Sequence, residues 1–332
     1  MKSFEFDPAS YSKNEYFIGG VRTYVYNESS LKPYLQLIND HSFQQGDDGK
    51  NNDIPINVLY LAHYRGGDYH FTESIAYNIL RQYYEKKPDD PVPLICVTFD
   101  NRNHGERLLK EQHNRSWKSG NDTHGVDMIS MIRGGIDDLK LVMDYLPSYL
   151  NLEYHLTPKI KYQLQAQIKF NNILSGYSQG AHTVIRFANK YPELVDILNP
   201  VVGCNDLSSL LLNRLLGNKQ GDAAFDKKWF YFNYEEIPLS QQQQQLQYPE
   251  AFHNLLRQED TDIFENFPFN KVKLFASFGD DDTLVPPSLS RSWVEMYLNT
   301  NRDSEVFVQK DIGHEATPEM IENFTSWLVK HT

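Results

Sequence analysis

Three features of this chain have the residue types and spacing to do chemistry together: a serine between two glycines, a run of aspartates, and a late histidine. Gly176-Tyr177-Ser178-Gln179-Gly180 follows the apolar run "FNNILSGY" and precedes the helix-prone "QGAHTVIRFANKY". A serine at so sharp a strand-to-helix bend has its hydroxyl held clear, and its backbone carries about 1–3 kcal/mol of strain. Side chains two positions to either side would collide, which accounts for glycine at 176 and 180. A helix starting at Gln179 aims free N–H groups and the positive end of its dipole at the same point. A serine hydroxyl is a poor nucleophile near neutral pH, so a base and an orienting acid must come from elsewhere.

Two late stretches supply them. "FGDDDTLVPP" begins at a strand end and contains Gly-x-x-Asp-x-x-Val-Pro, which puts Asp282 in the place of the acid. Asp280 and Asp281 read as solvated loop acids, Asp281 being the nearer rival. Of eleven histidines, only His314 and His331 come after Asp282. His314, in "DIGHEAT" between the last strand and the last helix, is the expected base. His331, the penultimate residue, is expected to fray.

The chain order Ser178, Asp282, His314 is that of the α/β-hydrolase fold and differs from chymotrypsin-like and subtilisin-like orders. From about Ile56 to Val329 the sequence resembles an α/β-hydrolase-fold serine hydrolase. The resemblance implies an α/β architecture, a mostly parallel central sheet with helices on both faces. It also implies acyl transfer through an acyl-enzyme, with no metal and no organic cofactor. Two backbone N–H groups would hold the oxyanion: that of Gln179, and one from the loop after "INVLYLAH". The family usually has His-Gly-x there, whereas this chain has His63-Tyr64-Arg65-Gly66-Gly67. The Arg65 N–H is the expected second donor, with Tyr64 a close rival, and Gly66-Gly67 are expected to restore the freedom that Tyr64 removes. Family precedent places the base late, so His182, one helical turn past Ser178, reads as a packed residue behind the site. Asp100, Arg102, His104 and Gly105 are similar to an Asp-x-Arg-Asn-His-Gly loop of some of these hydrolases. That loop is read as a hydrogen-bonded structural element in preference to a wall of the site.

Positioning these residues requires a regular scaffold. Strands are expected at 15–27 as a pair around Gly19 and Gly20, then at 56–63, 92–100, 170–177, 195–204, 271–279 and 304–311. Pro200 weakens the expectation for 195–204. Helices are expected at 71–87, 126–146, 179–191, 287–298 and 317–331, and 46–53 reads as a polar loop. Gly134 and Gly135 weaken the long 126–146 helix by roughly 1 kcal/mol each relative to alanine. The alternation of strands and helices indicates a parallel sheet covered on both sides. The whole chain, 1–332, reads as one domain. Residues 206–267 break the rhythm with "WFYFNY" and "QQQQQLQ" and read as a cap inserted over the sheet, the glutamine run as a loop or exposed helical turn.

Composition limits the alternatives. The 332 residues carry a formal net charge of −12, which argues against a dedicated nucleic-acid binder. The first residues lack an apolar signal core, and no apolar run approaches bilayer length, so a cytoplasmic protein without an integral membrane segment is expected. Cys96 and Cys204 lie in apolar stretches read as strands and are expected to be buried free thiols, too few for a zinc site. The expected partner is a small-molecule acyl substrate; the sequence sets no oligomeric state. Carboxylic esters or lipids come first, because an aromatic insert would cover an apolar acyl pocket. Thioesters come second, since Gly-Tyr-Ser-Gln-Gly resembles the elbow of acyl-protein thioesterases. Short peptides, as in prolyl-oligopeptidase-like enzymes, come third. A non-catalytic binding protein on the same fold is the alternative from another class.

Overall fold

A computed structural model describes residues 1–40, 53–88 and 92–332. Its elements in chain order are β1 (Lys13–Ile18), β2 (Val21–Tyr26), α1 (Leu31–Asp40), β3 (Asp53–Ala62), α2 (Tyr69–Lys86), β4 (Leu94–Phe99) and α3 (His124–Leu150). There follow β5 (Gln167–Tyr177), α4 (Gln179–Lys190), β6 (Ile197–Val201), α5 (Leu207–Leu216), α6 (Glu250–Asn266), β7 (Lys273–Gly279), α7 (Arg291–Thr300), β8 (Glu305–Gln309) and α8 (Pro318–His331). All but Asp53 of the 46–53 loop lies outside the described residues.

The strands form one eight-stranded sheet in the order β1-β2-β4-β3-β5-β6-β7-β8. β2 pairs antiparallel with β1 and β4, and the remaining neighbours are parallel. β3 and β5 make the spine, in register from Asp53↔Gln167 to Ala62↔Gly176. These central strands are apolar on both faces because both faces are covered. α2 and α8 pack one side, through Ile75, Leu80, Phe324 and Leu328. α1 and α3 to α7 contribute to the core on the other, with Leu35, Ile132, Val184, Leu211, Leu256 and Trp293. The parallel strands all end on one edge, so the loops after β3, β4, β5, β7 and β8 meet there.

Two sequence-level weak points are resolved by packing. Pro200 does lie in a central strand. It pairs with Gly176 of β5, but the β6–β7 ladder runs Ile197↔Lys273, Leu198↔Leu274 and then Val201↔Ser277, passing over Asn199 and Pro200. The Asn199 side-chain amide instead donates to the Phe275 carbonyl at 2.7 Å. α3 runs straight through Gly134 and Gly135. A methyl group at 134 would overlap the Arg102 side chain, and one at 135 would sit 3.2 Å from Thr183 Cγ2, so the glycines let α3 lie close to its neighbours.

Two expectations are corrected. Cys204 is buried and free, but it lies beyond the end of β6 in a loop, because the chain turns at Val202, where φ is +46°. His331 does not fray: it is the last residue of α8, and its ring lies 4.2 Å from that of Trp327.

Candidate active site

Ser178 stands between β5 and α4 with φ +53° and ψ −110°, a conformation that L-residues rarely adopt. Its N–H donates to the Val201 carbonyl at 2.9 Å, and its carbonyl accepts the first helical bond from His182 N–H at 3.1 Å. The flanking glycines are required by backbone contact. A methyl group at 176 would overlap the Gly180 carbonyl, and one at 180 would overlap the Ala62 carbonyl at the end of β3. Backbone cannot move aside as a side-chain tip can. Gly180→Ala is therefore expected to cost about 3 kcal/mol in urea unfolding, and a loss under 1 kcal/mol would contradict this packing.

The structure brings Ser178, His314 and Asp282 together. Ser178 Oγ is 2.8 Å from His314 Nε2, and His314 Nδ1 is 2.7 Å from Asp282 Oδ2. Asp282 is buried, and its other oxygen, Oδ1, accepts the N–H groups of Leu284 at 2.8 Å and Val285 at 2.9 Å. Those two bonds fix the carboxylate plane and leave Oδ2 for the imidazole. Asp280 and Asp281 are exposed, in keeping with their reading as solvated acids. Their backbone N–H groups donate to Gln309 and Ile312 carbonyls, at 3.1 and 3.0 Å, which ties the Asp282 loop to the His314 loop. Ser178 and His314 are partly exposed, so the pair opens to solvent.

His182 is fully buried, with Nδ1 2.9 Å from the Cys204 carbonyl. Its imidazole makes no hydrogen bond to the Ser178 hydroxyl or to His314 among the described residues; its ring is held by the Cys204 backbone instead.

Gln179 is the first residue of α4, so its N–H has no acceptor within the helix. Arg65 follows β3 in the adjacent loop. Tyr64 is accommodated there by turning its ring edge-on to Phe71, 4.9 Å between centroids, and donating its hydroxyl to the Met1 carbonyl at 3.2 Å. Gly66 has φ +82°, and a methyl group at 67 would come within 2.8 Å of the Tyr64 ring. The glycine pair thus makes room for the tyrosine. The Arg65 side chain donates from Nη1 to the Asn114 carbonyl at 3.2 Å and to His124 Nδ1 at 3.1 Å.

The 100–107 loop is a cross-brace. Asp100 accepts from Tyr69 N–H at 2.7 Å, at the start of α2, and from Glu106 N–H at 2.8 Å. A side chain at Gly105 would overlap the Asp100 carboxylate. Arg102 and Arg107 both bind Asp138 of α3, at 2.9 and 2.7 Å. His63 Nε2 accepts the Asn101 N–H at 2.9 Å, so this loop also holds the loop that carries Arg65.

Three buried histidines are kept neutral. Burial, aided by His104, pulls His63 down to about 3; burial with the Arg65 charge takes His124 to about 3; burial also takes His182 to about 3. Their value in the unfolded chain is about 6.5. Between these limits the unfolded chain binds more protons, so stability falls as pH drops below about 6.5 and keeps falling towards 3. Each histidine contributes up to about 1.4 kcal/mol per pH unit in that window. Burial also raises the Asp260 carboxyl, which works in the opposite sense. Urea unfolding is therefore expected to give a stability at pH 5.5 lower than at pH 7.5 by less than the roughly 4 kcal/mol that the three histidines supply together, and equal or higher stability at pH 5.5 would contradict neutral burial.

The 206–267 segment lies between β6 and β7 and comprises α5, α6 and the turns between them. Its glutamine run forms one exposed helical turn, Gln243–Gln247. The aromatics of its 229–234 stretch pack within it: Trp229 lies against Phe232 and Phe230 against Phe264, both Trp229 and Phe230 are buried, and the Trp229 ring N–H donates to Asn213 at 3.1 Å. A cavity of about 590 Å³ between this segment and the Asp282 loop has Trp117 as its one Phe, Tyr or Trp lining residue among those described. Arg214 and His124, which line it, were not singled out by sequence; a cation near the end of α5 gives no local sign of what it faces. Among the described residues, no group of three or more His, Cys, Asp or Glu side chains is arranged to hold a metal, and no helix is long and apolar enough to cross a membrane.

No family model and no curated protein matches this sequence. Solved structures do. TT1662 from Thermus thermophilus is 14% identical over 96% of both chains, with a TM-score of 0.55. Est1E from Butyrivibrio proteoclasticus, solved with ferulic acid bound, is 12% identical over 96% of this chain and 98% of its own, with a TM-score of 0.51. At such identities the likeness is one of fold. Strand order, the two-sided helical cover and these neighbours agree that this chain has the α/β-hydrolase fold.

Proposed function

We propose that the protein is a serine hydrolase that cleaves a carboxylic ester or related acyl bond of a small molecule through an acyl-enzyme. The observation that carries this reading is the continuous hydrogen-bonded line from Ser178 Oγ through His314 to Asp282, at 2.8 and 2.7 Å, on a strained bend. In it, Ser178 Oγ attacks the carbonyl carbon while His314 Nε2 takes the hydroxyl proton. Asp282 Oδ2 accepts from Nδ1–H, which keeps Nε2 unprotonated and facing the serine. The oxyanion is received by the N–H groups of Gln179 and Arg65. His314 then protonates the leaving alcohol and activates the water that clears the acyl group. Residues 206–267 serve as the cap.

Purified protein is expected to hydrolyse short p-nitrophenyl esters with a pre-steady-state burst of p-nitrophenol. Parallel assays with acyl thioesters and aminoacyl amides rank the acyl bonds. Absence of turnover across all three would defeat the reading.

A further inference from the structure

The cavity beside the Asp282 loop is lined by cations, although the chain as a whole is acidic. Arg65, Lys118, Arg214 and Lys219 line it beside the neutral His124, and no described aspartate or glutamate does. The chain as a whole has a formal charge of −12, so local excess of cations does not follow from composition. Two of these cations are fixed in place. Arg65 Nη1 donates to the Asn114 carbonyl at 3.2 Å and to His124 Nδ1 at 3.1 Å. Arginine has no acceptor atom, so His124 must accept there and stay neutral. Arg214 Nη2 donates to the Leu284 carbonyl at 2.6 Å, while its Nε is buried with no partner. Among the described residues neither guanidinium has a carboxylate partner. Burial lowers both guanidiniums and pulls Arg214 down to about 10, the Arg65 charge adding to that shift and the Asp282 carboxylate opposing it, which leaves both protonated at neutral pH.

Two partly desolvated guanidiniums sharing a cavity without a hydrogen-bonded carboxylate are costly unless an anion completes the set. Their planar forks suit carboxylate and phosphate oxygens. The location is also specific. Arg65 belongs to the loop proposed to hold the oxyanion, and Thr283 and Leu284, next after Asp282, form another part of the wall.

We propose that this cavity binds a carboxylate or phosphate carried by the substrate, so that the enzyme is selective for anionic esters. The inference rests on the serine-hydrolase reading and narrows its substrate class. It replaces the apolar acyl pocket expected from an aromatic insert, since the aromatics of 229–234 pack inside the insert.

The test compares matched esters, each rate normalised to alkaline hydrolysis. One pair, p-nitrophenyl hydrogen glutarate against p-nitrophenyl valerate, puts the charge on the acyl side. The other, 4-acetoxybenzoate against phenyl acetate, puts it on the leaving group. At least one pair is expected to favour the anion by about tenfold or more in kcat/KM. Arg214→Met is expected to lower that ratio at least about tenfold, and Arg214→Lys to keep most of it. Using the ratio cancels any general effect of losing the Arg214–Leu284 bond. Wild-type ratios at or below one for both pairs, or a ratio indifferent to Arg214→Met, overturn the inference while leaving the serine chemistry standing. If no ester is turned over, the serine reading fails by itself. The cavity is then decided by thermal melts of wild-type protein in glutarate or inorganic phosphate against sodium chloride of equal ionic strength. Stabilisation by either anion that Arg214→Met removes supports the site, and none overturns it.

Discussion

Replacing Ser178 by alanine is expected to lower kcat/KM on any ester the protein hydrolyses by at least about 10⁴-fold, with the fold retained. The size follows from the step removed. Without Oγ no acyl-enzyme forms, and only binding and oxyanion stabilisation remain to help a direct attack by water. The fold should persist because the side chain makes a single hydrogen bond, to His314 Nε2 at 2.8 Å, and is partly exposed. The strained backbone at φ +53° is held by the flanking strands and glycines, and alanine suffers it no more than serine does. Circular dichroism and a melting curve beside the kinetics separate loss of chemistry from loss of structure. A folded variant keeping a tenth or more of the activity would exclude Ser178 as nucleophile.

The second large effect is expected at Asp282. Changing it to asparagine should lower kcat by about 10³–10⁴-fold. The geometry gives the reason. Oδ1 already accepts two backbone N–H groups, from Leu284 and Val285, and the amide oxygen of asparagine would take that role. Its NH₂ would then face His314 Nδ1, now 2.7 Å from Oδ2, and would make that nitrogen an acceptor. The proton would move to Nε2 and point at Ser178, so the imidazole could no longer take the serine's proton. Asp281→Asn, at an exposed position one residue earlier, is expected to stay within about twofold. Comparable losses at both positions would mean that the loop matters as a charged segment and not through one oriented carboxylate.

Much of this site could be read from the chain because its determinants are local. Glycine at 176 and 180, an apolar run before Ser178 and a helix after it are constraints that a bend imposes on its own neighbours. Asp282 stood out from Asp280 and Asp281 through the following Val-Pro, and the fold explains why one of three adjacent acids is inside: Leu284 and Val285 turn their N–H groups back onto it. What escaped the sequence depends on partners far along the chain. Pro200 counted against a central strand until the Asn199 amide was seen to reach the Phe275 carbonyl across the broken ladder. Gly134 and Gly135 counted against a helix until the neighbours they admit, Arg102 and Thr183, were in place. His331 is a local exception: it is expected to fray, but it closes α8 with its ring on that of Trp327, one helical turn earlier. Arg65, His124 and Arg214 come from a β3 loop, the start of α3 and the last turn of α5. No spacing rule links them, so the basic cavity was invisible while the triad was not.

The most direct test is covalent. Folded protein treated with a fluorophosphonate and digested for mass spectrometry is expected to carry one adduct, on the peptide containing Ser178, and heat-denatured protein none. An unlabelled folded protein, or a label on any other residue with Ser178 untouched, would contradict the account.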